Sequence, residues 1–209
     1  MFKKIYFRIF NTIAGINRHI INFINRRKLK NKDFSLISSN CNGGFIMHDL
    51  DLKFLTPTVN LFFFPEDFIK FIENLNFYLQ QKLEFTTKEG YKYPIGKLYD
   101  IEIHFMHYSN EEEAKEKWGE RSKRINYDNL YIMMTDRDGC TEEIIKRFNN
   151  LSYKNKVLFT NKEYKQYSST FYIKGFENQE GIGHIFKFKN IFGKKYYDNF
   201  NYINWFNNI

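Results

Sequence analysis

Apolar residues recur near the start of the chain at Phe2, Tyr6, Ile9, Ile13, Ile16, Ile20 and Phe23, in alternating steps of four and three. That period predicts a helix over residues 2–24 with one apolar face. Lys4, Arg8, Asn11, Arg18 and Asn22 fall largely off the stripe. Two readings compete: the helix packs on the rest of the protein, or it lies on an anionic membrane surface.

Beyond residue 32 the pattern changes to short apolar runs alternating with helical ones. Phe34, Leu36 and Ile37 form a run that stops at the polar turn Ser38-Ser39-Asn40-Cys41-Asn42-Gly43-Gly44. An amphipathic run from Phe45 to Phe54 follows, so the segment reads as strand, tight loop and helix. Val59–Phe64 reads as a buried strand or an extended core segment, and Pro65-Glu66-Asp67 opens a helix. Ile101–Phe105 alternates as a strand, and Ser109-Asn110 with three glutamates starts a helix. Asn129–Met134 predicts a strand, Thr141-Glu142-Glu143 a helix start, and Val157–Phe159 a strand. The tail reads as strands at Phe171–Ile173 and Ile185–Phe188, then a terminal helix within Tyr196–Ile209.

This alternation predicts an α/β fold, a three-layer domain with a mainly parallel central sheet. The expected organisation is a basic amphipathic helix over 1–32 and a single α/β domain over 33–209, ending in a β-rich, aromatic tail. Ligands in such folds bind beyond the carboxyl ends of the strands. Those ends are Ser38–Cys41, His107–Ser109, Thr135–Asp138 and Thr160-Asn161.

The net charge of +8 sharpens the division. Nine of the 32 Lys and Arg residues lie in residues 1–32, with no acid among them, which leaves 23 bases against 24 acids elsewhere. The body is therefore near neutral, and no nucleic-acid partner is expected. Two distant cysteines, Cys41 and Cys140, are too few for a disulfide framework and read as reduced thiols. No apolar run approaches the roughly 18–20 residues of a membrane span. Asn11, Asn17, Arg18 and His19 interrupt any signal-peptide core. The expected location is cytoplasmic, with peripheral attachment at the inner membrane if residues 1–32 bind lipid.

Candidate chemistry gathers at the Ser39–Gly44 loop. Cys41 stands where a strand turns into a helix, a place that favours a thiolate, and His107 is a candidate base. Gly43 and Gly44 would leave amides free for an anion or oxyanion beside Ser39, Asn40 and Asn42. Arg121 and Arg124 share a helix face suited to phosphate or carboxylate. Asp136-Arg137-Asp138 follows a buried strand, the placement of a divalent-ion turn in sugar-nucleotide transferases, although ordinary turns share it and no metal ligand is assigned. No cofactor is indicated.

The blocks SSNCNGG, TPTVNLFFFPEDFIKFIENLNFYL, YPIGKLYDIEIHFMHYSNEEEAKEKWGERSKRIN, DNLYIMMTDRDGC and NKVLFT resemble a bacterial family labelled exopolysaccharide or capsular polysaccharide biosynthesis proteins. The likeness spans roughly residues 34–165. It implies a role in surface-glycan assembly, with a sugar or lipid-linked sugar as substrate and a transferase as the leading expectation. A fainter likeness to papain-like cysteine peptidases implies Cys41 as nucleophile and His107 as its partner, a Cys–His hydrolase or acyltransferase, although the C-G-S-C-W surroundings are absent. The third expectation is a non-catalytic partner in a glycan-assembly complex.

Overall fold

A computed structural model describes residues 2–208; Met1, Ile209 and the side chains of Phe2 and Lys3 lie outside the described residues. The first apolar position of the N-terminal stripe and the last residue of the expected terminal segment are therefore outside the description. The chain divides into two compact units, one of residues 33–44 and 53–183, the other of residues 1–32, 45–52 and 184–209.

The larger unit is built on four parallel strands, β1 (Ser35–Ser38), β5 (Leu130–Thr135), β6 (Asn155–Thr160) and β7 (Thr170–Tyr172), in the order β1-β5-β6-β7. Ile37 pairs with Ile132, Met133 with Val157, and Phe159 with Phe171. A second, antiparallel sheet holds β2 (Glu84–Thr86), β3 (Ile95–Leu98) and β4 (Ile101–His104). The helices are α3 (Pro65–Glu73), α4 (Leu75–Gln80), α5 (Glu111–Ser122) and α6 (Glu142–Asn150). Parallel strands with flanking helices make a mixed α/β fold, consistent with a three-layer domain.

Local chemistry explains the helix starts. Pro65 occupies the first turn of α3 with Glu66 and Asp67, where its missing N–H costs nothing and the acids face the positive end of the helix. Asn110 Oδ1 accepts from the Glu113 amide at 2.9 Å and so caps α5, and Glu113 Oε2 accepts from the amide of the preceding residue, Ser109, at 2.9 Å. Thr141 caps α6. The core joins Ile37, Ile132, Met134 and Leu158 of the sheet to Phe68, Phe71 and Ile72 of α3, Trp118 of α5 and Phe148 of α6. Full burial of such side chains stabilises by about 1.5–3 kcal/mol each.

The antiparallel sheet was not legible as such. Tyr99-Asp100 closes the β3–β4 hairpin with Tyr99 at φ 57°, a left-handed conformation with no glycine to announce it. Of the two readings of Val59–Phe64 the core segment holds: Val59, Leu61 and Phe63 are buried, and only Phe62 pairs as a strand would. Its N–H and C=O exchange bonds with His104 at 2.9 Å, and the next amide, Phe63, donates to Ser39 O. Phe62 is thus a one-residue joint between the end of β1 and the antiparallel sheet. Ile185–Phe188 is likewise not a strand; the Lys187 amide turns back to His184 O, leaving one bridge between Phe188 and Lys195.

The smaller unit contains α1 (Phe2–Lys28), most of α2 (Asn42–Asp49), a 3-10 turn over Tyr196–Asn199 and α7 (Tyr202–Phe206). Here α1 docks through its polar side. Ala14, Arg18 and Asn22 are buried, while Tyr6, Ile9, Ile13, Ile16, Ile20 and Phe23 are exposed. Gly193, at φ +80°, permits the approach: a Cβ there would lie 2.5 Å from the Arg18 nitrogen. Arg18 Nε and Lys195 Nζ donate to Asp49 Oδ2 at 3.0 and 2.7 Å, and the Tyr197 hydroxyl donates to the same oxygen. Arg18 also reaches Asp198 Oδ2 at 2.6 Å, and Asn22 Nδ2 donates to Asp49 Oδ1 at 3.2 Å. This charged network, with Ile46, Met47, Ile185, Tyr197 and Phe206 buried in the same unit, holds α1 in place.

Candidate functional site

Because β1, β5 and β6 are parallel, their carboxyl ends Ser38, Thr135 and Thr160 share one edge of the sheet. Beyond β1 the chain is tightly bonded to itself. Ser38 Oγ donates to Asn40 O at 2.9 Å and accepts from the Gly43 amide at 3.3 Å. Asn40 Nδ2 donates to Thr135 Oγ1 at 2.8 Å, and Asn40 Oδ1 accepts from the Asn42 amide at 3.1 Å. Ser39 is buried, its backbone tied to Met133 and Phe63. The structure thus gathers Ser39, Asn40, Asn42, Gly43 and Thr135 at one place.

The glycines serve differently from the expectation. A Cβ on Gly43 would lie 2.6 Å from Ser38 Cβ, so glycine is required for close approach, and its amide is already used by Ser38. Gly44 has open space around its Cα.

One group in the loop lacks a partner. Asn42 is buried, and its Oδ1 meets no donor. A buried amide oxygen without a donor is costly, on the order of 1–3 kcal/mol, so a ligand hydroxyl or amine there would be favoured.

Cys41 is half-buried, and its Sγ lies 3.7 Å from Leu61 O. The expected acidic thiol is not found. Burial pushes it above its ordinary value, more than the backbone hydrogen bond and the Arg137 charge lower it. His107 is exposed, and among the described residues no hydrogen bond joins it to Cys41. The charged partners that matter to Cys41 are others: Arg137 acts on the thiol, and the thiol acts on Tyr108.

Arg121 is engaged by Tyr108, whose hydroxyl receives its Nη1 at 2.7 Å and donates to Val59 O at 2.8 Å. Arg124 faces Glu120 at 3.5 Å on the surface. The two guanidinia therefore have different partners and do not form one anion clamp. Asp136 is buried at the end of β5, its two oxygens accepting the Asn161 and Ile182 amides at 2.7 Å each. Burial raises its carboxyl above the usual range, against those bonds. Its role is to fasten the turn after β6 and the segment around Ile182. Among the described residues no three His, Cys, Asp or Glu side chains converge as metal ligands.

Sequence reasoning favoured His107 and passed over His104. The latter ends β4, fully buried, with its ring 4.5 Å from Phe62 in a stacked pair and flanked by Phe64, Tyr91 and Tyr93. Burial holds its imidazole below the ordinary value, and Nε2 has no partner. The surrounding sequence FFF and YKY carried a signal only as aromatic density. Tyr91 and Tyr93 also line a cleft of about 370 Å³ with Lys88, Lys92 and Glu111.

These features define a mixed α/β protein with a cluster of polar residues at the strand ends. The chain belongs to a family described as a domain of unknown function, DUF1919, whose pattern matches residues 12–207. A protein of Haemophilus influenzae, named only as uncharacterized, is 52% identical over 197 residues, covering 93% of this chain and 95% of its own length.

Proposed function

We propose that this protein serves surface-glycan assembly as a transferase acting on a sugar or lipid-linked sugar, with its site in the Asn40–Gly44 loop beyond β1. The resemblance of the sequence blocks to polysaccharide-biosynthesis proteins motivates the substrate class. The observation that carries the site is the unpaired, buried Oδ1 of Asn42, placed beside the Asn40–Thr135 pair. Sugar hydroxyls both donate and accept, and they match an amide whose buried end lacks a partner. Arg137, whose Nε donates to Asp138 Oδ2 at 2.8 Å, also bears on the thiol of Cys41 in the same loop, and a phosphate on the donor would compete with Asp138 for its guanidinium.

The test is direct titration of the purified protein with a panel of nucleotide sugars and short glycan acceptors, followed by assay for transfer. Binding by the native chain that falls at least tenfold in Asn42→Leu and Arg137→Gln supports the reading. Absence of binding and turnover with every donor class overturns it.

A second reading, a non-catalytic partner in glycan assembly, is favoured by one specific observation. The polar groups of the strand ends largely satisfy one another, as Asn40 with Thr135 and Asp136 with two backbone amides show. Loss of glycan on gene deletion, restored in full by chains altered at Asn40, Asn42 and Cys41, would select it.

A further inference from the structure

The helix α1 inverts the usual amphipathic arrangement. Its docked side holds Ala14, Arg18 and Asn22, and its outward side holds Ile9, Ile13, Ile16, Ile20 and Phe23. Ile16 and Ile20 each precede a docked residue by two positions, which places them roughly 200° around the helix from Arg18 and Asn22. Ile16 is 62% and Ile20 59% exposed, while Arg18 is 4% exposed. The stripe runs the length of a 27-residue helix, about 40 Å. Asn17 Nδ2 donates to Ile191 O at 2.8 Å, which sets the exposed Ile191 and Phe192 against α1 and widens the patch. Contiguous apolar surface of this extent marks an interaction site.

Charge identifies the occupant. Residues 1–32 contain nine Lys and Arg and no acid. Lys4, Arg8, Arg27 and Lys28 are exposed, and among the described residues none has an acid within ion-pair distance. Arg26 donates to the Asp49 backbone oxygen at 3.0 Å and has one carboxylate within ion-pair distance, Asp51 at 3.9 Å. A second copy of the same helix would bring like charges together along the stripe, which opposes self-pairing. An anionic lipid surface offers apolar depth for the isoleucines and negative headgroups for the flanking cations. No described helix is long and apolar enough to cross a membrane, so the geometry is in-plane.

We propose that α1 is a membrane-surface anchor, docked on its own unit through the Arg18 network and inserting Ile9, Ile13, Ile16, Ile20 and Phe23 into an anionic bilayer. The network lets the helix keep its position in the protein while its apolar face stays free for lipid.

The experiment is co-sedimentation of the full chain with vesicles of phosphatidylcholine alone and of phosphatidylcholine with 30% phosphatidylserine as the probe, paired with light scattering for oligomeric state. The expected result is binding at least tenfold tighter to the anionic vesicles. Salt at about 1 M, where the screening length falls to about 3 Å, should remove that preference. Ile16→Glu with Ile20→Glu should abolish binding, and Lys4→Gln with Arg8→Gln should weaken it by about fivefold per cation. These positions are exposed, so thermal unfolding of the variants should match the native chain. Tyr99→Asn, which removes an exposed aromatic elsewhere, should bind as the native chain does. Equal or absent binding to both vesicle types overturns the proposal, as does undiminished binding by the double glutamate variant. A concentration-dependent dimer abolished by that variant, without vesicle binding, also overturns it and makes the stripe a self-association face.

Discussion

Replacing Asp49 by Asn tests whether the charged network holds α1 in its unit. The carboxylate accepts four side-chain hydrogen bonds, from Arg18, Lys195 and Tyr197 at Oδ2 and from Asn22 at Oδ1. An amide has one acceptor and one donor end, so either orientation points its NH₂ at existing donors. The charges fare worse. Arg18 and Lys195 now balance Asp49 and Asp198, all with side chains 11% exposed or less; in the variant two buried cations share Asp198 alone. Removing one partner of a buried ion pair costs about 3–5 kcal/mol. For a chain of this size that corresponds to a fall in Tm of about 6–20 °C. Urea unfolding followed by circular dichroism measures it. Adding Lys195→Met restores charge balance, so the double variant should lose less than the sum of the two by about 1–3 kcal/mol. The pH dependence has a definite sign. Burial alone would raise the Asp49 carboxyl, but hydrogen bonds from Lys195 and Tyr197 with the Arg18 charge hold it below the ordinary value. Its stabilising effect is therefore complete above the unfolded value near 3.8 and disappears as pH falls through the lower folded value. The native chain and Asp49→Asn should converge in stability only in strong acid. A loss under about 1 kcal/mol at neutral pH, or simple additivity with Lys195→Met, would refute the network as the clamp.

Other outcomes follow from single contacts. Gly43→Ala places a methyl 2.6 Å from Ser38 Cβ and should cost about 1–3 kcal/mol in chemical denaturation, where a freely tolerated alanine would contradict the close packing. His104 is held neutral by burial, so the unfolded chain takes up its proton first as pH drops below about 6.5. Stability should fall over that range and do so less in His104→Phe, and NMR titration should show an imidazole below the ordinary value. Asp67, raised to about 6 by burial and the neighbouring Glu102 charge, favours the folded state in its protonated form. That contribution is present in acid and lost as pH rises through about 6, visible as a carboxyl titration displaced upward. Tyr108→Phe removes the hydroxyl that receives Arg121 and donates to Val59 O and should lower stability by about 1–3 kcal/mol.

The parallel sheet was legible because its strands are continuous apolar runs bounded by caps and turns; Asn110 and Thr141 act as the sequence indicates. The antiparallel sheet was obscured because its hairpin turns at Tyr99-Asp100 and its link to β1 is the single residue Phe62. At the site, the polar residues after β1 were identifiable by position, yet their hydrogen bonds were not. Asn40 finds Thr135, which lies 95 residues away, and Asp136 spends its oxygens on backbone amides that no spacing rule reveals. The helix α1 was correctly read as amphipathic, but the natural assumption that an apolar face turns inward fails there. The overlooked signal was a second stripe, Ala14, Arg18, Asn22 and Asn25, at the same helical period.

The Arg18 network also imposes an order on synthesis. Asp49 follows Arg18 by 31 residues but Asp198 by 180, so α1 leaves the ribosome long before the second carboxylate that neutralises its buried guanidinium exists. At about 5–20 residues per second the interval is roughly 9–36 s. Through that time the helix has Asp49 but not the rest of its clamp, and its isoleucines are open to whatever lies near the ribosome. Late residues close the unit around early ones, and a chain stopped short of Lys195 keeps Asp49 as a partner for Arg18 but lacks Lys195, Tyr197 and Asp198.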